Sequence, residues 1–405
     1  MSPRLRLGVL ASHPIQYQAP LFRALARRLD LEVFFAHRQT AEQQGAAGFG
    51  VTFEWDVDLL EGYPSRFLAN RARRPGVARF RDADTPEIGA IIRERRFDAF
   101  LVTGWHLLSY WQAIRACQRS GTPVLVRGDS HLGMPAGPLK RLVKQGLHRW
   151  LMRQFDGFLY VGQRNRAYLR HYGAPPERLF FVPHFVDNAW FAAESRVAAG
   201  ERAGLRARLG LADSERVVLL AARLVPFKRP EDVVRAVARV AAGRPPAGGV
   251  RLVIAGSGPL EPALRDLAGG LGAPVVFAGF QNQTLMPAFY DLADLLVLSS
   301  DGRETWGLVV NEAMACGTPA VVADTVGCAP DLIEDGQTGA VAPVGDVAGL
   351  AAAIEALLDR KGSPAVQEAL AAKVAAYSVD AAVGGILEAI EGVRGGPSGR
   401  PLSRS

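Results

Sequence analysis

Apolar runs of strand length alternate with helix-length amphipathic stretches along this chain, and the alternation occurs twice. In the first series LRLGVLA (5–11), LEVFFA (31–36), DAFLVTG (98–104), PVLVRG (123–128) and DGFLYVG (156–162) end on glycine or polar residues. Stretches of helical character at 17–29, 87–96, 107–119, 138–154 and 163–172 separate most of them. The second series runs VVLLAARL (217–224), RLVIAGSG (251–258), VVFAGF (275–280), DLLVLSS (294–300), PAVVAD (319–324) and GAVAP (339–343), with helical stretches at 231–242, 260–270, 284–292, 307–316 and 346–358. Strands that are apolar throughout must be covered on both faces, and interposed helices supply that cover for a parallel sheet. The expected fold class is therefore α/β. The pattern implies two Rossmann-like parallel-sheet domains, each with ligand loops at the carboxyl ends of its strands.

The expected boundaries are a first domain over 1–190, a second over 191–378, a C-terminal helix at 379–394 that returns to the first domain, and a disordered tail, GGPSGRPLSRS, at 395–405. Residues 191–213, rich in Ala, Gly, Arg and Glu, read as the connection between domains. The stretch from Arg38 to Arg81 breaks the rhythm and reads as either a functional loop or disorder.

The net charge of +7 raises an anionic partner, and its distribution narrows the question. Residues 1–200 carry 28 Lys and Arg against 17 Asp and Glu; the rest carries 19 against 23. Basic character thus belongs to the first half alone. Its runs Arg71-Ala72-Arg73-Arg74 and Arg93-Glu94-Arg95-Arg96 lack interleaved stacking aromatics, so no nucleic-acid partner is expected. Cys117, Cys316 and Cys328 are too scattered for a disulfide framework or a zinc site and read as core residues of a reducing compartment. LGVLAS is too short and wrongly flanked for a signal peptide, and no spanning helix is expected. A cytoplasmic protein, peripheral at the inner face of the membrane, is the expectation.

Chemistry concentrates in SSDGRETWGLVVNEAMACGTPAVVAD (299–324). A strand ends at Ser299-Ser300, a loop carries Glu304, and a helix begins near Trp306-Gly307 with Glu312 further in. The free N–H groups of the turn Thr305-Trp306-Gly307-Leu308 and the helix N-terminus make an anion seat. A loop carboxylate beside it can accept hydrogen bonds from sugar hydroxyls, and a helix carboxylate can take the two hydroxyls of a ribose.

This block resembles the family 4 retaining glycosyltransferases, which have the GT-B fold. Their E-x7-E signature and the Ala-Met-Ala-x-Gly-x-Pro-like run after it are matched by Glu304, Glu312, Ala313, Met314, Ala315, Gly317 and Pro319. Arg223 and Lys228 match the family's pair that holds the donor diphosphate, and Gly256 and Gly258 its glycine-rich turn. Val275 to Phe280 match the strand whose end meets the nucleobase. Val182-Pro183-His184-Phe185-Val186-Asp187 is similar to the hinge segment, with His184-Phe185 replacing Asn-Gly. The resemblance implies a nucleotide-sugar donor, a glycan, lipid-linked or small-molecule hydroxyl acceptor, retention of configuration, and no cofactor or metal. It implies catalytic roles for Glu304, Arg223, Lys228 and His106, the last following a mid-domain strand.

In the first domain the family's Gly-rich loop is replaced by Ser12-His13-Pro14-Ile15-Gln16-Tyr17-Gln18-Ala19-Pro20, so His13, Gln16 and Gln18 read either as side-chain donors toward donor or acceptor or as polar caps of a turn before the helix. Arg127, Asp129 and His131, at the end of another strand, line the acceptor side or form structural salt bridges. Asp56-Val57-Asp58 and Asp82-Ala83-Asp84 have the D-x-D spacing of metal-dependent transferases but lie away from strand ends, and read as solvated loop acids. The alternative readings are a nucleotide-sugar epimerase or phosphorylase on the same fold. An anionic lipid surface is the candidate partner for the basic first half.

Overall fold

The central strands of each sheet are buried on both faces, as apolar-throughout strands require. In the computed structural model, which describes residues 4–46, 50–134, 137–244 and 248–395, β1 (Arg6–Ala11) sends Leu7, Val9 and Ala11 into one core and Leu10 into the other. It is joined by β2 (Asp30–Phe35), β3 (Ser65–Phe67), β4 (Ala99–Val102), β5 (Val124–Arg127), β6 (Gly157–Tyr160) and β7 (Leu179–Phe181) in a parallel sheet of order β3-β2-β1-β4-β5-β6-β7. The second sheet comprises β8 (Arg216–Ala221), β9 (Val250–Ala255), β10 (Val275–Gly279), β11 (Leu295–Leu298), β12 (Ala320–Ala323) and β13 (Gly339–Ala342), in the order β10-β9-β8-β11-β12-β13. Strand order reverses between β1 and β4 in one sheet and between β8 and β11 in the other. Such switch points leave crevices beyond the carboxyl strand ends, where ligands bind in open α/β sheets.

Every apolar run read as a strand is a strand. The irregular stretch from Arg38 to Arg81 also holds a short helix, Ala41–Ala46, and β3. This strand has three residues, with Ser65 and Arg66 exposed at the sheet edge, and so offers no apolar run. β7 is equally short; its apolar run Leu179-Phe180-Phe181-Val182 is closed off by Pro175-Pro176 on one side and Pro183 on the other. Residues 191–213 are not a plain connection. Helices Asn188–Ala199 and Arg202–Arg208 occupy them, and Phe191, Leu205 and Leu211 join the second core. The first of these helices starts where the Asp187 carboxylate accepts the Trp190 N–H at 3.1 Å, an N-cap within the hinge segment.

A window within Pro364–Arg394 is apolar enough to cross a membrane by length and composition alone. Here it is two helices: Pro364–Ala376 buries Val366 and Leu370 in the second core, and Val379–Gly395 packs on the first sheet. Ala382, Val383, Ile386, Ala389 and Ile390 cover the sheet face at β4, β6 and β7. Cys117, Cys316 and Cys328 are buried and form no disulfide among the described residues. The tail beyond Gly395 lies outside the described residues.

The returning helix is therefore part of the first domain's core. Ile386→Ala should lower stability by about 2–5 kcal/mol, the cost of a large-to-small change in a closed core. Urea unfolding followed by circular dichroism would read this as a lower midpoint.

Candidate active site

The site grows from the β8/β11 switch point. After β8 the chain runs through Ala222-Arg223 into a short 3-10 turn, Pro226–Lys228. Gly256 and Gly258, after β9, let this segment pass. A β-carbon at Gly256 would lie 1.9 Å from the Ala222 carbonyl oxygen, and one at Gly258 would lie 2.6 Å from that of Leu224. The glycines are thus needed for close backbone approach, and Gly256 alone of the two lines the cavity.

Lys228 is buried, and its ammonium pairs with the Glu304 carboxylate, which also accepts the Ser300 hydroxyl at 3.0 Å. Backbone contacts hold the two in place: Asp301 N–H donates to the Phe227 carbonyl at 2.8 Å, and the Ser299 hydroxyl reaches the Lys228 carbonyl at 2.9 Å. Glu304 stands in the loop after β11, as expected. Gly307, at φ +101°, starts the helix Leu308–Ala315; a β-carbon there would lie 2.7 Å from Leu298. The turn from Thr305 to Leu308 thus faces the same space as Lys228.

Glu312 is buried on that helix, where the Tyr290 and Tyr17 hydroxyls donate to its carboxylate. Burial pushes its pKa up to about 7 against the pull of these two hydrogen bonds. The same burial, together with the Glu312 charge, raises both tyrosine hydroxyls well above their ordinary value.

One cavity of about 440 Å³ collects these groups. Arg223, Lys228, Gly256, Phe280, Glu304–Val309 and Glu312 line it from the second domain, and Gln16 and Asp129 from the first. The Asp129 carboxylate accepts the Thr305 hydroxyl at 2.7 Å across the domain seam. Other expected residues lie elsewhere. His13 and His106 stand at the β1/β4 switch point outside this cavity; burial first, then His37 and His106, lowers His13 to about 4. His106 is lowered by burial and faces the Val77 backbone.

Arg127 donates to the Pro183 carbonyl at 3.0 Å and lies over Phe185, so it braces the hinge rather than the cavity. Burial lowers its guanidinium to about 10. His131 is buried, and its Nδ1 accepts the Gly133 N–H at 3.1 Å. The D-x-D acids are not simply solvated. Asp58 accepts the Leu60 and Glu61 N–H groups, Asp82 that of Arg79, and Asp84 the Gln112 amide, while Asp56 binds Thr284 of the second domain. Among the described residues no group of three or more His, Cys, Asp or Glu is placed to hold a metal ion.

Tyr17, Trp55, His184, Gln283 and Tyr290 also line the cavity and were not singled out. Tyr17 lies in the loop after β1 that was read for donors, and His184 in the altered hinge segment. Trp55 sits in aperiodic sequence with no signal. The His184 ring packs on Trp306 with centroids 5.2 Å apart, and burial followed by the nearby Arg127 charge holds its pKa well below the usual imidazole value.

Two parallel-sheet α/β domains facing across a cleft that holds a buried cation–carboxylate pair have the architecture of the GT-B glycosyltransferases. A family model described as glycosyl transferases group 1 matches residues 215–360, and one described as a glycosyl transferase 4-like domain matches residues 14–184. The chain belongs to the family 4 glycosyltransferases. D-inositol 3-phosphate glycosyltransferases of Geodermatophilus obscurus and Rhodococcus jostii are 38% and 35% identical to it over 204 and 228 residues. These matches cover 48% and 54% of this chain but 44% and 48% of those proteins, so each spans less than half of the relative's length. The fold is similar to that of Anabaena HepE in complex with UDP-glucose (TM-score 0.68, 18% identity, 96% of this chain and 99% of that one). It is also similar to a Rickettsia africae glycosyltransferase (TM-score 0.75, 13% identity, 97% and 100%).

The raised pKa of Glu312 makes a pH prediction. Its folded-state value lies above the unfolded one, so its contribution to stability falls as pH rises from about 4.5 to about 7 and is flat beyond. Glu312→Gln removes this term. The melting temperature of the variant relative to wild type should rise across that window and then level off.

Proposed function

We propose that the protein transfers a sugar from a nucleoside-diphosphate donor to an acceptor hydroxyl with retention of configuration and without a metal. The observation that carries this reading is the buried Lys228–Glu304 pair sharing one cavity with Arg223 and the start of the helix Leu308–Ala315. Breaking the bond between sugar C1 and diphosphate oxygen develops negative charge on the leaving group. Arg223, Lys228 and the helix N–H groups meet that charge already oriented, the role a divalent cation plays in other folds. Glu304 accepts hydrogen bonds from the sugar hydroxyls. The acceptor oxygen bonds C1 on the face the diphosphate leaves, and its proton passes to a diphosphate oxygen.

The acceptor (a glycan, a lipid-linked sugar or a small molecule) lies against the first domain, whose basic charge suits an anionic acceptor or lipid surface. That HepE was crystallised with UDP-glucose supports a nucleotide-sugar donor here.

A thermal-shift screen of UDP-, GDP-, ADP- and TDP-sugars should give stabilisation by one nucleotide family. With that donor, Lys228→Ala and Glu304→Ala should each lower kcat by about 10²–10³, the usual loss for one preorganised charge-stabilising group. Near-normal turnover in either would overturn the site. NMR of the product should show the donor's anomeric configuration, and chelation by EDTA should leave the rate unchanged; an inverted centre or a chelator-sensitive rate would overturn the corresponding half of the reading.

A further inference from the structure

The aperiodic segment of the first domain crosses the cleft. A β-carbon added at Gly50 would lie 3.9 Å from Gly258 Cα of the second domain. Phe53 packs on Phe280 with ring centroids 4.5 Å apart and against Trp55 at 4.9 Å. Asn282 Nδ2 donates to the Glu54 carbonyl at 2.7 Å, and the Thr284 N–H and hydroxyl both donate to the Asp56 carboxylate. From Gly50 to Asp56 the chain is thus a strap bound to the second domain beside β9 and β10.

The cavity beneath this strap has two chemically different ends. At the β8/β11 end stand Arg223, Lys228 and Glu304; at the β10 end stand Phe280, Met286 and Trp55. Gln283 also lines it, with its carboxamide oxygen buried and without a hydrogen-bond partner. A nucleoside diphosphate has the same asymmetry, a polyanion joined to a flat ring with polar edges. Matching charge to charge places the ring at the aromatic end.

Resting on the donor reading above, we propose that Trp55, carried on the Gly50–Asp56 strap, forms a wall of the nucleobase site, so that both domains recognise the donor nucleotide. Phe280 bounds the base from the second domain, Trp55 from the first, and the Gln283 amide meets its polar edge. Donor affinity therefore depends on the two domains being together, and a second domain lacking the strap would bind phosphates without holding the base.

The test is calorimetric titration of the full chain, and of its Trp55→Ala and Trp55→Phe variants, with UDP, GDP, ADP, TDP and inorganic pyrophosphate. For the nucleotide that wild type binds most tightly, Trp55→Ala should raise Kd about tenfold or more, the scale of one base–aromatic stack. Trp55→Phe should recover most of the loss, and pyrophosphate should bind all three proteins alike. An unchanged nucleotide Kd in Trp55→Ala, or an equal loss for pyrophosphate, overturns the wall and leaves the donor reading standing. Wild-type protein that binds none of the four nucleotides overturns the donor reading itself.

Discussion

Lys228 can keep its charge out of water because Glu304 faces it, and much of the site is arranged to hold that pair. Removing one member of such a buried pair leaves the other uncompensated, at about 3–5 kcal/mol. The pair joins the turn after β8 to the loop after β11, which the switch in strand order makes neighbours. The Asp301 N–H and the Ser299 hydroxyl stitch the same two segments through the backbone. The ammonium that lines the cavity is thus already desolvated and fixed in direction.

The domain seam is built around this pair. Trp306 is buried between the domains, its indole N–H donating to Asn311 at 2.8 Å and its ring beside His184 and Tyr377. Gly162 makes room for it, since a β-carbon there would lie 2.4 Å from the indole ring. Nearby, the Gln163 N–H binds Asp331 at 3.0 Å, and the Asn311 amide reaches the His184 carbonyl at 3.4 Å. Tyr17 and Asp129 bring first-domain groups onto Glu312 and Thr305. The loop from Glu304 to Leu308 and the helix after it are thus contacted from both domains.

Much of the fold was legible because burial on both faces leaves a run of apolar residues, which is how β1, β2, β4–β6 and β8–β13 were found. Strand β3 escaped because its three residues at a sheet edge carry no such run, and β7 because its short run is enclosed by prolines. The helices at Asn188–Ala199 and Arg202–Arg208 escaped because their Ala, Gly and Arg content resembles a linker, although each buries an apolar face. In the site, Glu304, Arg223, Lys228 and Gly256 were legible because they lie at or just beyond strand ends. His106 and Arg127 satisfy the same rule yet face a loop backbone and the hinge.

By itself the sequence determined most of the segments that become buried parallel strands and that Arg223, Lys228 and Glu304 stand after β8 and β11, since both follow from local pattern. Only the tertiary structure decided which first-domain residues complete the cavity. Asp129 reaches Thr305 across 176 positions, and the strap at Glu54 reaches Asn282 across 228. Periodicity reports how one segment is buried; it carries no record of which distant segment lies opposite, because that depends on how two finished sheets are set against each other.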